Sequence, residues 1–185
     1  MFARTERLTL RPGWIEDAPE LARAINHWEV CSKLATAPWP YSELDAEDFL
    51  GMPRDEADAI FLIFAHDRGA TRLVGGVGLG TDEDGETELG YWLTPDAWGR
   101  GYATEAAQGV VRLARDTLRM KRLVSGHFLD NPASGRVLRK LGFRPTGRIV
   151  QRDSRARGAK TACALFELDL CGDAADGDPR PRMAA

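Results

Sequence analysis

GYWLTPDAWGRGYATEA, residues 90–106, passes from strand formers through a proline to two glycines around an arginine, and ends in alanines at helical spacing. TELGYWL at 87–93 reads as a strand stopped by Pro95. Beyond the glycines, Ala103, Ala106, Ala107, Val110, Val111, Ala114 and Leu118 recur at helical period, with Glu105, Gln108, Arg112, Arg115 and Arg119 on the other side. A strand feeding a tight turn that opens a helix gathers unpaired N–H groups at the positive end of the helix dipole, which is a phosphate site. Gly99 and Gly101 can take backbone conformations closed to other residues and let a phosphate approach, and Arg100 adds charge. The plainer alternative is a strand-to-helix turn with no ligand.

Two better-known phosphate motifs do not fit. WGRGYAT has no Lys-Ser or Lys-Thr after its second glycine, so a P-loop's lysine contact has no supplier. GGVGLG at 75–80 resembles a dinucleotide fingerprint, yet from Gly76 the third glycine position is Thr81, and an acidic turn follows instead of a helix. It reads as a strand whose small residues permit close packing.

Upstream, LTLR at 8–11 alternates as a short strand, and Asp17–Trp28 puts Ala18, Leu21, Ala22, Ile25 and Trp28 on one helical face. Ser42 caps a second helix in a loose capping box with Asp45; Leu44, Phe49 and Leu50 are its apolar anchors, and its acidic run is a solvated face. AIFLIFA at 59–65 and LVGGVGLG at 73–80 form a hairpin across a turn containing Asp67 and Gly69, and with 87–93 they make an antiparallel meander. Downstream, RLVSGHF at 122–128 is a strand, and NPASGRVLRKLG at 131–142 is a helix with Asn131 as N-cap, Pro132 first and Gly142 as C-cap. RPTGRIVQ and TACALFELDL pair around the charged turn DSRARGAK, after which 172–185 is too polar and proline-rich to pack.

The 185 residues, 43% hydrophobic, suit one domain over 1–171 with a disordered tail over 172–185. A net charge of -3 argues against a nucleic-acid binder. Cys31, Cys163 and Cys171 lack metal-ligand or CxxC spacing, so the sequence suggests neither a metal nor a disulfide framework. No signal-peptide core or membrane-spanning run is present, which predicts a cytoplasmic protein with no membrane partner.

GYWLTPDAWGRGYATEA together with NPASGRVLRKLGF at 131–143 resembles the two cofactor motifs of the GNAT superfamily of acyl-CoA-dependent N-acetyltransferases, and most nearly its RimJ/RimL-type ribosomal-protein branch. The superfamily's Gln/Arg-x-x-Gly-x-Gly/Ala loop is matched by Trp98, Gly101 and Ala103, with tryptophan in first place as that branch often has; TERLTLRP also resembles the branch's first strand. The resemblance implies an α+β fold with a mostly antiparallel, splayed mixed sheet flanked by helices. It implies acetyl-CoA as cosubstrate, with its pyrophosphate on the amides of Gly99, Arg100, Gly101, Tyr102, Ala103 and Thr104. The pantetheine would lie between 88–93 and 122–128, with backbone contacts from Trp92 and Leu93 and with Asn131 and Ser134 near the thiol. Such strands offer main-chain groups to the pantetheine amides. Many members carry a tyrosine seven residues after that asparagine as the acid for the leaving thiolate; here Leu138 stands there, leaving Ser134 or water.

An amine attacks a thioester only when neutral, and an α-amine titrates near ~8 and a lysine near ~10.4, so a proton acceptor is needed. Glu88 is the candidate, on the strand leading to the loop and on the face shared by Gly90 and Trp92. A surface ion pair is its alternative role, and His127 and Tyr91 are weaker candidates, Tyr91 pointing to the opposite face. Among the basic residues from Arg136 to Lys160, the helical ones can reach the CoA 3′-phosphate, while those in the turn stay hydrated or line the acceptor entrance. Trp14, Trp28 and Trp39 are expected on the acceptor side. The implied activity is acetyl transfer to a primary amine, either a protein N-terminus or a small amine, by direct attack in a ternary complex, in a monomer or homodimer. A non-catalytic acyl-CoA-binding module of the same fold is the alternative.

Overall fold

The computed structural model describes residues 2–53, 59–67 and 70–171. Their strands are β1 (Ala3–Arg4), β2 (Leu8–Arg11), β3 (Ile60–Asp67), β4 (Ala70–Thr81), β5 (Thr87–Leu93), β6 (Arg122–Phe128), β7 (Arg144–Ser154) and β8 (Ala159–Asp169). The helices are α1 (Ala18–Ile25), α2 (Trp28–Cys31), α3 (Glu43–Gly51), α4 (Tyr102–Asp116) and α5 (Pro132–Lys140). One sheet runs β1-β2-β3-β4-β5-β6-β8-β7, antiparallel throughout except where β5 meets β6. This is the expected mixed α+β architecture. The predicted tail over 172–185 and the turn residue Gly69 lie outside the described residues.

Both faces of the sheet are covered, which explains the unbroken apolar run of β3. Phe61 and Ile63 join the cluster under α4 with Leu8, Leu10, Ala106, Ala107 and Val110, whereas Leu62 and Phe64 join the opposite cluster under α1 and α3 with Leu21, Ile25 and Ala46. The β4 glycines serve close packing. A Cβ at Gly75 would strike the Trp92 backbone carbonyl, and one at Gly76 would strike the Trp92 indole. The strand then turns into β5, not into a nucleotide-binding helix.

Several predicted details differ. α1 ends at Ile25, and Trp28 opens the separate short helix α2 with 46% of its surface exposed, because Asn26 leaves the helical region at ψ 60. Ser42 and Asp45 do form the capping box of α3, but Leu44 is 66% exposed and Ala46 takes the buried position. α4 stops at Asp116, so Leu118 packs on the core from the loop beyond it. α5 ends in a Schellman motif: Leu141 is the C-cap, and Gly142 at φ +92 is the left-handed residue after it. The Phe143 amide donates to the Leu138 carbonyl at 3.0 Å and the Gly142 amide to Arg139 at 3.1 Å.

Candidate active site

Gly99 and Gly101 have φ of +75° and +80°, the left-handed region where other residues are strained. Gly101 is the N-cap of α4, and the Glu105 amide donates to its carbonyl at 3.1 Å. The amides opening a helix have no acceptor within it and sit at the positive dipole end. Trp98, Gly99, Gly101, Tyr102, Ala103 and Thr104 all line one cleft. Arg100 stands outside that lining, and its carbonyl accepts a hydrogen bond from Arg7 at 2.9 Å. A Cβ at Gly99 would meet nothing within 4 Å, so this part of the loop is open to an approaching phosphate.

The cleft, of about 870 Å³, continues along a gap in the sheet. β4 and β5 stay paired from Thr87 to Leu93, but β5 and β6 share only the register pair Glu88–Val124. The Ser125 hydroxyl donates to the Leu89 carbonyl at 2.8 Å, and beyond that point the strands part, with Gly90–Leu93 and Gly126–Phe128 lining the two sides. A splayed pair exposes main-chain amide and carbonyl groups along an extended path, which suits a pantetheine arm. The Leu93 carbonyl already accepts from the Trp98 indole at 3.0 Å, which ties the end of β5 to the loop.

Where the strands converge, Glu88 lines the cleft as expected and is ion-paired with Arg152 of β7. Arg152 also faces Asp82 at 3.6 Å and is mostly buried. Burial works against the Arg152 charge, but the bond to Glu88 prevails and holds its pKa above the ordinary value. On the facing wall, Asn131 caps α5, its Oδ1 accepting from the Ser134 amide at 3.4 Å. The Tyr91 hydroxyl lies 2.8 Å from Ser134 Oγ and donates to the Ser134 carbonyl at 3.0 Å. Burial pushes the Tyr91 phenol up to about 12, against the opposing bond with Ser134, so Tyr91 keeps its proton at neutral pH. Leu138 is fully buried and presents no acid. His127 also lines the cleft; its Nδ1 lies 2.9 Å from the Phe128 carbonyl, and its ring packs beneath Gly135 and against Phe166. That is a packed, structural setting.

The Tyr91–Ser134 contact was missed by sequence reasoning, although strand alternation does send Tyr91 to the face opposite Glu88. The splay brings the start of α5 to that face, which only long-range packing decides. Neither Arg152 nor Arg157 is a hydrated loop cation: Arg152 lines the cleft, the other expectation for the basic stretch, and Arg157 is tied down outside it. Arg157 donates to the Ser32 carbonyl at 2.6 Å and to Asp130 at 2.8 Å. Trp28 and Glu29 line the cleft, with Trp39 edge-on to Trp28 at 6.0 Å. Trp14 does not line the cleft: it lies under the Arg11 guanidinium at 4.1 Å. Arg136 and Lys140 line the cleft from α5, whereas Arg139 turns over Phe166 at 5.4 Å. Among the described residues there is no cluster of potential metal ligands, and no helix is long and apolar enough to cross a membrane.

Residues 7–144 match the family model described as an acetyltransferase (GNAT) domain. An N-acetyltransferase of Bacillus licheniformis, p20, is 29% identical over 171 residues, covering 89% of this chain and 93% of its own. The fold is shared with RimL, a ribosomal L7/L12 α-N-protein acetyltransferase solved with coenzyme A (TM-score 0.77, 17% identity, 94% of this chain and 100% of that one). It is shared also with a Vibrio cholerae spermidine N-acetyltransferase solved with CoA and spermine (TM-score 0.74, 18% identity, 90% and 98%).

Proposed function

The chain belongs to the GNAT acetyltransferase family, and on that premise we propose that it moves acetyl from acetyl-CoA to a primary amine by direct attack within a ternary complex. The observation that carries this reading is the single cleft joining the left-handed glycine loop, the parted strands, Glu88 and Ser134. Acetyl-CoA supplies the activated thioester. The amides from Gly99 to Thr104 hold its diphosphate, the edges of β5 and β6 around Trp92 and Leu93 hold its pantetheine, and Arg136 and Lys140 attract the 3′-phosphate.

Glu88 accepts the ammonium proton through water, since an amine is nucleophilic only when deprotonated. Its pairing with Arg152 fixes where that carboxylate points. The amine nitrogen bonds to the acetyl carbon, the carbon–sulfur bond breaks, and the Ser134 hydroxyl relays a proton from water to the departing sulfur, so that free thiol leaves and the serine ends protonated. Tyr91, whose hydroxyl donates to the Ser134 carbonyl and lies 2.8 Å from Ser134 Oγ, holds the Ser134 side chain in place at that end of the cleft. The acceptor is a peptide α-amine or a small amine. A donor such as acetyl-CoA assigns the reaction to the cytoplasm, in keeping with three free cysteines.

The test is release of free CoA, followed with a thiol reagent, over a panel of N-terminal peptides, polyamines and aminoglycosides. At least one acceptor is expected to raise release well above hydrolysis, with Glu88→Gln abolishing most of the gain. Tight CoA binding with background release across the panel would instead favour the binding-module reading.

A further inference from the structure

We infer that Arg7, in the turn before β2, is a positioning residue that aims the anion-binding amide of Gly101 into the cleft, with Glu105 as its anchor. The inference rests on the diphosphate site proposed above. Two motifs almost a hundred residues apart meet here: TERLTLRP, which the reaction itself leaves unused, and WGRGYATEA.

The contacts are dense. Glu105, in the first turn of α4, accepts from the Thr5 hydroxyl at 2.6 Å, the Arg7 amide at 2.9 Å and Arg7 Nε at 2.7 Å. Arg7 Nη2 closes a salt bridge at 2.6 Å to Oε2, the same oxygen that Nε contacts. This uses one edge of the guanidinium, and the remaining nitrogen, Nη1, donates to the Arg100 carbonyl at 2.9 Å. The guanidinium carbon lies 4.9 Å from the centre of the buried Tyr102 ring. A side chain at Gly101 would project to within 3.4 Å of Arg7.

The Arg100 carbonyl and the Gly101 N–H belong to one planar trans peptide and point in opposite directions. Drawing the carbonyl toward Arg7 therefore turns that N–H away from Arg7, and it is Gly101, not Arg7, that lines the cleft. A left-handed glycine has little conformational preference of its own to hold that plane. Arg7 also neutralises Glu105, a carboxylate in the first turn of the helix whose positive end opens on the cleft.

Three measurements on the purified full chain test this. Calorimetric titration with CoA is expected to show Arg7→Ala weakened about tenfold, the effect of losing one oriented hydrogen bond to a charged group. Arg7→Lys keeps an ion pair with Glu105 but has no fork to reach Arg100; it should melt near the wild type yet bind CoA several-fold more weakly. With S-acetylpantetheine, a donor that lacks the diphosphate, kcat/KM should be the same for the wild type and Arg7→Lys. CoA affinity within twofold of wild type in both variants overturns the inference and leaves the proposed reaction standing, as does an equal loss with S-acetylpantetheine. A wild type that does not bind CoA at all overturns both.

Discussion

At one end of the cleft the lining comes from a single run of chain, Trp98–Thr104, and the proposed binding groups are mostly main-chain amides. At the other, Glu88, Ser134, Arg152 and Trp28 come from β5, α5, β7 and α2 and act through their side chains. On the function proposed above, the first end recognises an anion by helix geometry, for which a positive φ and an open approach suffice. The second needs several side chains brought into register from distant parts of the chain, and it is where the proposed reaction makes its bond. Substitutions at the two ends should therefore separate KM for acetyl-CoA from kcat.

The largest effect is expected at Glu88. Glu88→Gln should lower kcat by roughly a hundredfold, within the usual range for losing a general base, and leave KM for acetyl-CoA within about twofold. Steady-state assays with varied donor would check it, and a change confined to KM would break the comparison. Ser134→Ala should lower kcat by about tenfold with KM again steady; an unchanged kcat would hand the sulfur's proton to water.

The next effect is of the opposite kind. Gly101→Val forces a β-branched residue to φ +80°, a cost of about 1–2 kcal/mol, and crowds Arg7. KM for acetyl-CoA should rise about tenfold while kcat at saturation stays within twofold.

The smallest effect concerns stability. Burial pushes the Glu105 carboxyl up, but the bonds from Thr5 and Arg7 outweigh burial and leave its pKa below the ordinary value. A depressed folded pKa favours folding above the unfolded value and loses that contribution as pH falls through the folded one. Thermal melts should thus show Glu105→Gln a few degrees below wild type at pH 7, with the gap closing as pH drops below about 4. A gap that widened in acid would contradict the network around Arg7.

The same division governs what could be read in the chain. In WGRGYATEA the loop and the helix start were legible, because glycine conformation and helix capping are local properties. β5 over 87–93 and β6 over 122–128 were legible to the residue, since alternation and turn residues are local too. Trp28 falls on the α1 face by periodicity alone, and only Asn26, a residue common just past helix ends, marks the break before it. Arg152 stood in the sequence as one cation among many in a basic stretch; its burial against Glu88 and Asp82 depends on β7 reaching back past β8 to the cleft.

By itself, then, the sequence determined most of the elements, their order and the glycine loop before α4, and its motifs pointed to the family. Only the tertiary structure decided which charges pair, which phenol meets Ser134, and that Arg7 grips the turn before α4. The reason is range: backbone conformation, capping and dipoles act over a few residues, whereas hydrogen bonds and ion pairs between side chains act over a few ångströms of space, whatever the distance along the chain.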